Sequence, residues 1–303
     1  MGRGVSSRNL CTPLPARTFH VRADLPLKGG GDRSQSTVRV HNVAHAGPAV
    51  IDHGSMLETR NLTIRFGGHV AVDAVSCAFS PGTLTAIVGP NGAGKTTYFN
   101  LISGQLKPTA GQVIFAGADI TRMPASGRAR QGLGRAFQLT NLFPHLSVRE
   151  NVRLAVQSRW RAGLDLFRTW NSHVELIEEA EDVLGQVALR ERRHLAAGLL
   201  PHGDQRKLEV AILLALRPTI FMFDEPTAGM SVDDVPVILD LIHEIKAQGE
   251  KTILLVEHKM DVVRSLADRI IVLHNGKLVA DGEPASVIAS PVVQEAYLGI
   301  ANV

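Results

Sequence analysis

Two cysteines, Cys11 and Cys77, are all that the 303 residues contain. Neither lies near another Cys or a His at metal-ligand spacing, which excludes a disulfide framework and a structural zinc site and leads us to expect a reduced cytosolic setting. Long apolar runs are missing as well. Residues 211–216 form one of the longest, far short of the ~20 residues that span a bilayer, so any membrane role is expected to come from partner chains. Aromatic residues make up only 5% of the chain, yet apolar residues reach 45%, enough for an ample core in one or two domains.

Acidic residues are absent from the first 23 positions, and so is the apolar stretch of a secretory leader. Residues 1–55 are rich in Arg, Gly, Ser, His and Pro, carry the tract Gly29-Gly30-Gly31 and show no apolar periodicity, so they are expected to be a disordered N-terminal extension. Their composition is also that of a transit peptide. A third reading is a start assigned upstream of the true one, because Met56-Leu57-Glu58 opens the first strand-like segment. His41 and His45 sit four apart without helical patterning and are read as incidental. This segment holds six Arg and one Lys against three Asp and no Glu, a net of +4, while the whole chain is +3 and the remainder therefore about −1. The positive charge belongs to the tail and not to a folded basic face, which argues against a nucleic-acid partner.

The most informative stretch is Gly89-Pro90-Asn91-Gly92-Ala93-Gly94-Lys95-Thr96-Thr97, preceded by the apolar run 84–88 and followed by Tyr98, Phe99, Asn100, Leu101 and Ile102. Strand, glycine-rich loop and helix start match the spacing G-x-x-x-x-G-K-[ST], in which backbone N–H groups and a helix N-terminus surround a phosphate. Lys95 is expected to neutralise the β- and γ-phosphates of a nucleoside triphosphate, and Thr96 to offer its hydroxyl to Mg²⁺.

Around this loop the pattern predicts three zones. Leu62, Ile64 and Phe66, then Val70, Val72, Val75 and Phe79, alternate as strands about a Gly67-Gly68 turn, and residues 113–115 add another, giving an antiparallel β layer. Phe66 is either a core aromatic or the ring that stacks on a nucleotide base. Residues 124–218 are richer in Arg, Leu, Glu and Ala at helical spacing and are expected to form an inserted helical subdomain, with a capping box at Ser147-Val148-Arg149-Glu150. Trp160, Phe167 and Trp170 lie within it and either pack the subdomain or face a partner. A helix is expected over 206–216 after the irregular stretch Leu200-Pro201-His202-Gly203-Asp204-Gln205. The apolar strand 219–223 then closes on two carboxylates. Asp224 there would hold Mg²⁺ through its water shell, and Glu225 would polarise the attacking water. Residues 233–248 read as helix, 251–256 as a strand ending in Glu257-His258, and 270–280 as a hairpin turning at Asn275-Gly276.

The P-loop, Gln138 after Phe137, the LPHGDQ stretch, FMFDEP and VEH in this order resemble the ATP-binding cassette (ABC) family over residues 57–300. The resemblance implies an α/β fold: a P-loop core with an antiparallel β subdomain and an inserted helical subdomain, spanning 56–303. It implies ATP and Mg²⁺ as ligands. It also implies a head-to-tail dimer with a second ATPase subunit, in which Leu200, Pro201, His202, Gly203 and Asp204 of one subunit face the nucleotide held by the other. Phe66 matches the adenine-stacking position, Gln138 the residue that senses Mg²⁺ and the attacking water, and His258 the switch histidine near the γ-phosphate. The helical subdomain would dock on transmembrane permease subunits at the cytoplasmic face of the inner membrane, with a solute-binding protein as an indirect partner.

Within the family, FGGHVAVDAVS, FQLTNLFPHLSVRENV, TAGMS, VEHKMD and the ending AYLGI look most like ATP-binding subunits of branched-chain amino acid importers. Urea-type importers, lipopolysaccharide-type exporters and soluble nucleic-acid-associated cassettes are the competing readings. Two positions depart from the general pattern. Leu-Pro-His-Gly-Asp stands where Leu-Ser-Gly-Gly-Gln is usual, and residues 228–231 lack the usual aspartate, as the amino acid importer group itself does. Pro201 supplies neither hydroxyl nor N–H to a phosphate, so either the opposing contact is weakened or Pro201 serves to start the following helix.

Overall fold

The computed structural model describes residues 55–136, 142–160 and 174–298, together with the short strand β1 (Arg39–Val40). Three strands, β4 (Leu84–Val88), β8 (Ile220–Asp224) and β9 (Thr252–Val256), are buried at every position. Unbroken apolar runs of this kind form the middle of a parallel sheet covered on both faces. With β7 (Leu133–Ala136), β10 (Arg269–His274) and β11 (Lys277–Gly282) they make a sheet ordered β1-β11-β10-β4-β9-β8-β7. The five strands from β10 to β7 run parallel. β11 returns antiparallel through Asn275 and Gly276, whose φ angles of 48° and 76° fit the expected turn.

β1 pairs antiparallel with β11, Arg39 opposite Asp281 and Val40 opposite Ala280. Two residues of the segment expected to be disordered thus extend a sheet edge. Such pairing uses main-chain groups alone, and a two-residue strand leaves no periodic signal to read. The rest of 1–54, with Cys11, His41 and His45, lies outside the described residues.

Alternation along β8 and β9 divides the interior. Phe221, Phe223, Ile253 and Leu255 face one core, shared with Ile238 and Ile242 of α6 (Val235–Ala247). Met222, Leu254 and Val256 face the other, shared with Tyr98, Phe99 and Leu101 of α1 (Lys95–Ser103). That second core also takes the inner face of an antiparallel sheet, β3-β2-β5-β6, made of β2 (Leu57–Phe66), β3 (His69–Phe79), β5 (Ala110–Phe115) and β6 (Ala118–Asp119). The helix that follows the P-loop is therefore packed between two sheets.

The stretch 124–218 differs from the expected helical unit in its first residues. α2 (Ala125–Arg130) leads into β7, which pairs in parallel with β8 and belongs to the large sheet. Leu-Gly-Arg-Ala carries no apolar run, so nothing in its pattern marks it as strand. The helices that pack on one another are α3 (Val148–Trp160), α4 (Val174–Gln186) and α5 (His202–Leu216), through Val152, Val156, Ala180, Leu184, Leu208 and Ala211. At the start of α3 only half of the capping box forms. The Glu150 N–H donates to Ser147 Oγ at 3.1 Å, but the Glu150 carboxylate turns to Arg153 at 2.8 Å. Trp160 is 57% exposed, and Phe167 and Trp170 lie outside the described residues. α7 (Met260–Leu266), α8 (Pro284–Ile288) and α9 (Pro291–Leu298) complete the chain. No helix among the described residues is long and apolar enough to cross a membrane.

Candidate functional site

Parallel register puts the carboxyl ends of the central strands level. Ile87 pairs with Val256, and Val256 in turn with Asp224. The loops leaving β4, β8 and β9 therefore open at one edge, where ligands bind in sheets of this type. After Val88 the backbone needs glycine. A Cβ on Gly89 would lie 2.1 Å from the Leu273 carbonyl oxygen, and one on Gly94 2.4 Å from that of Ala71. Gly92 and Gly94 take φ of 78° and 96°. The first helical bond of α1 is Tyr98 N–H to Gly94 O at 2.8 Å, so the amides of Lys95, Thr96 and Thr97 come before any helical acceptor and are free for an anion. Lys95 Nζ donates to the carbonyls of Gly89 at 2.7 Å and Pro90 at 3.0 Å, folded across the loop. Burial lowers its pKa, and the charges of Glu225 and Asp224 oppose that shift. Pro90 is half-buried, Ala93 buried, and Asn91, Gly92 and Thr96 are exposed along the rim.

Asp224 and Glu225 separate at the end of β8. Asp224 is 7% exposed; burial raises its pKa, and the Arg135 guanidinium at 2.9 Å counters this. Glu225 takes φ 51°, an uncommon conformation for a residue with a Cβ, and its side chain turns outward. Its Oε1 lies 2.7 Å from His258 Nε2, so the residue expected to polarise the attacking water and the one expected near the γ-phosphate meet directly. Beneath them, buried Glu257 accepts from Thr227 Oγ1 at 2.6 Å and from the His258 N–H at 2.7 Å, which locks the loops after β8 and β9 together. Gln138 lies outside the described residues.

Phe66 ends β2 at the hairpin whose return strand brings Ala71 O over Gly94. It is 49% exposed, which removes the core reading and leaves the ring open.

Sequence reasoning passed over Arg135. Its Nη1 donates to Asn100 Oδ1 at 2.7 Å and Ser103 Oγ at 2.8 Å, its Nη2 to Asp224, and it lies over the Phe99 ring at 5.4 Å. One arginine joins the P-loop helix, the strand leading to Gln138 and the carboxylate of β8. The signal was its place three residues before Gln138, too little without the partners. Arg128, 1% exposed, was missed for the same reason; it donates to the carbonyls of Leu101 at 2.8 Å and Ile102 at 2.6 Å and closes the far end of α1.

Residues 200–204 form a second surface. Leu200 is buried, Pro201 is the N-cap of α5 with φ −55°, and the helix starts at His202, four residues before the expected start. Gln205 explains the shift: its N–H donates to Pro201 O at 3.0 Å and its side chain to Leu200 O at 2.9 Å, closing a turn that has no apolar residue to mark it. Pro201 and His202 are exposed, whereas Asp204 is buried beside Arg192 and Lys207.

The ABC transporter profile matches residues 72–228, half of the chain. The chain belongs to the ABC transporter family, as one of its ATPases. This ABC ATPase is 38% identical over 251 residues to the high-affinity branched-chain amino acid transport ATP-binding protein BraF of Pseudomonas aeruginosa, covering 80% of this chain and 98% of that one. It is 32% identical over 244 residues to the lipopolysaccharide export system ATP-binding protein LptB of Acidithiobacillus ferridurans, covering 80% and 97%. Its fold matches the crystal structure of the ADP conformation of an ATP-binding cassette of an ABC transporter with a TM-score of 0.69 and 30% identity, over 81% of this chain and 99% of that one.

Proposed function

We propose that this ABC ATPase is the ATP-hydrolysing subunit of an importer for branched-chain amino acids. The observation that carries the chemistry is the contact between Glu225 and His258 at 2.7 Å, level with the P-loop. ATP lies with its phosphates against the amides of 92–97 and Lys95 Nζ, and its base against Phe66. Glu225 takes the proton of the attacking water, and His258 holds Glu225 in place and meets the γ-phosphate. Gln138 orients the same water.

The donor set fits a hydrated divalent cation: an exposed hydroxyl, Thr96, in the first turn of α1, and a buried carboxylate, Asp224, at the end of a strand two places away. Thr96, Asp224 and Gln138 would hold Mg²⁺ there, and the ion would supply charge against the phosphates.

Residues 200–204 of a second subunit complete the site across the dimer. The helical segment α3–α5 then engages the permease, at the cytoplasmic face of the inner membrane. The amino acid class rests on the BraF relationship; the weaker LptB relationship carries the second reading, an exporter motor. A strain lacking this chain and complemented by it decides between them: restored uptake of labelled leucine supports the importer, and rescue of lipopolysaccharide export without leucine uptake supports the other. Absence of ATP hydrolysis in the purified, permease-bound protein overturns both.

A further inference from the structure

We infer that Arg192 is a positioning residue for the phosphate-facing turn of α5, where it cancels the charge of Asp204. The inference rests on the role proposed above for residues 200–204. Asp204 stands in the first turn of α5, 7% exposed. A carboxylate is stabilised there by the positive end of the helix. The same turn, however, is the one whose free amides would receive the terminal phosphate of the opposing nucleotide. An uncancelled carboxylate among those amides repels the ligand that they attract, and partial burial strengthens the repulsion.

Four charged groups surround the turn. Arg192, on the 3-10 turn Arg190–Arg192 that follows α4, forms an ion pair with Asp204 through Nη1. Lys207 Nζ lies 3.4 Å from the other oxygen of Asp204 and also pairs with Asp234. Asp234 accepts from the Ser231 hydroxyl at 2.7 Å, and Lys207 and Ser231 lower its pKa. These groups line one depression of about 390 Å³, together with Pro201 and Gly203. Two cations and two anions sum to zero. Lys207 is divided between two carboxylates, so Arg192 carries most of the compensation for Asp204, and without it the depression is left with a net charge of −1. Arg192 is 46% exposed along its side chain and comes from a separate segment, so it is not part of the core that holds α5 in place.

The test uses the full chain carrying Glu225→Gln, titrated with ATP and Mg²⁺, with the dimer fraction followed by analytical ultracentrifugation. Adding Arg192→Ala is expected to raise the ATP concentration for half-dimerisation about tenfold. Arg192→Lys should recover most of that shift. Placing Asp204→Asn in the Arg192→Ala chain should recover it too, because no charge is left to cancel. Thermal midpoints should stay together across the series; a scaffold role would lower the midpoint with Arg192→Ala and would not be repaired at Asp204. A shift below twofold, or an equal shift with Asn at 204, overturns the inference while leaving the proposed function standing. Failure of the Glu225→Gln chain itself to dimerise with ATP removes the role of residues 200–204, and the inference with it.

Discussion

The edge at β4, β8 and β9 and the first turn of α5 hold their functional groups by different means. At the sheet edge, each group sits on a short motif at the end of a buried strand, and the register of neighbouring strands brings the motifs level. At α5, Arg192, Asp204, Lys207 and Asp234 come from three stretches of chain whose polar ends meet through ion pairs above a shared apolar core. The first arrangement tolerates little change in the backbone, as the 2.1 Å approach to Gly89 shows. The second makes less demand on the backbone but links its charges, so a change at one is expected to need an answering change at another, as where Pro201 and Asp204 replace the general Ser and Gln of the family pattern.

The largest effect should come from the sheet edge. Lys95→Ala is expected to reduce ATP hydrolysis by at least about a hundredfold, the scale for losing one fixed positive partner of a reacting phosphate. Activity within a factor of two of the unmodified chain would show that the P-loop is not the site. Glu225→Gln should bind ATP with hydrolysis slowed by about 10²–10⁴ and should collect as dimer on gel filtration; normal turnover would assign the base to another group.

Arg135→Met cuts a charge pair that joins β7 to β8, both side chains being 7% exposed. Breaking a buried pair from one side should cost about 3 kcal/mol in urea unfolding. A loss under about 1 kcal/mol would mean that Asp224 finds a second partner. Pro201→Ser probes the softer region. It should lower the ATP needed for dimer closure by about one to two powers of ten, as hydrogen bonds to a charged group of about 1.5–3 kcal/mol allow. An unchanged or raised requirement leaves Pro201 as the N-cap of α5 and nothing more. Removing residues 1–54 should change stability least, by under about 1 kcal/mol, since the described contact that disappears is the two-residue pairing of β1 with β11. A fall of several degrees in thermal midpoint would show that the extension does more.

The same contrast explains what could be read without coordinates. The places of the P-loop, Asp224, Glu225 and His258 at strand ends were legible because apolar strands ending in fixed residue types carry their own address. Phe66 could be placed on its strand but not outside the core; only its 49% exposure decided that. β7 was invisible because Leu-Gly-Arg-Ala becomes a strand through pairing with β8, not through its own composition. Arg135 and Arg192 stayed hidden for a related reason: each acts through partners 32 to 89 residues away or on another turn, and spacing along the chain does not encode such pairs.

The bonds that the Thr227 hydroxyl and the His258 amide both donate to Glu257 have a mechanical meaning. They tie the loop after β8 to the loop after β9, so a shift of the His258 backbone is passed through Thr227 toward 228–231. In the proposed dimer that segment borders the depression beside residues 200–204, the surface offered to the other nucleotide. In that proposed arrangement a displacement at one nucleotide is expected to reach the surface that faces the other.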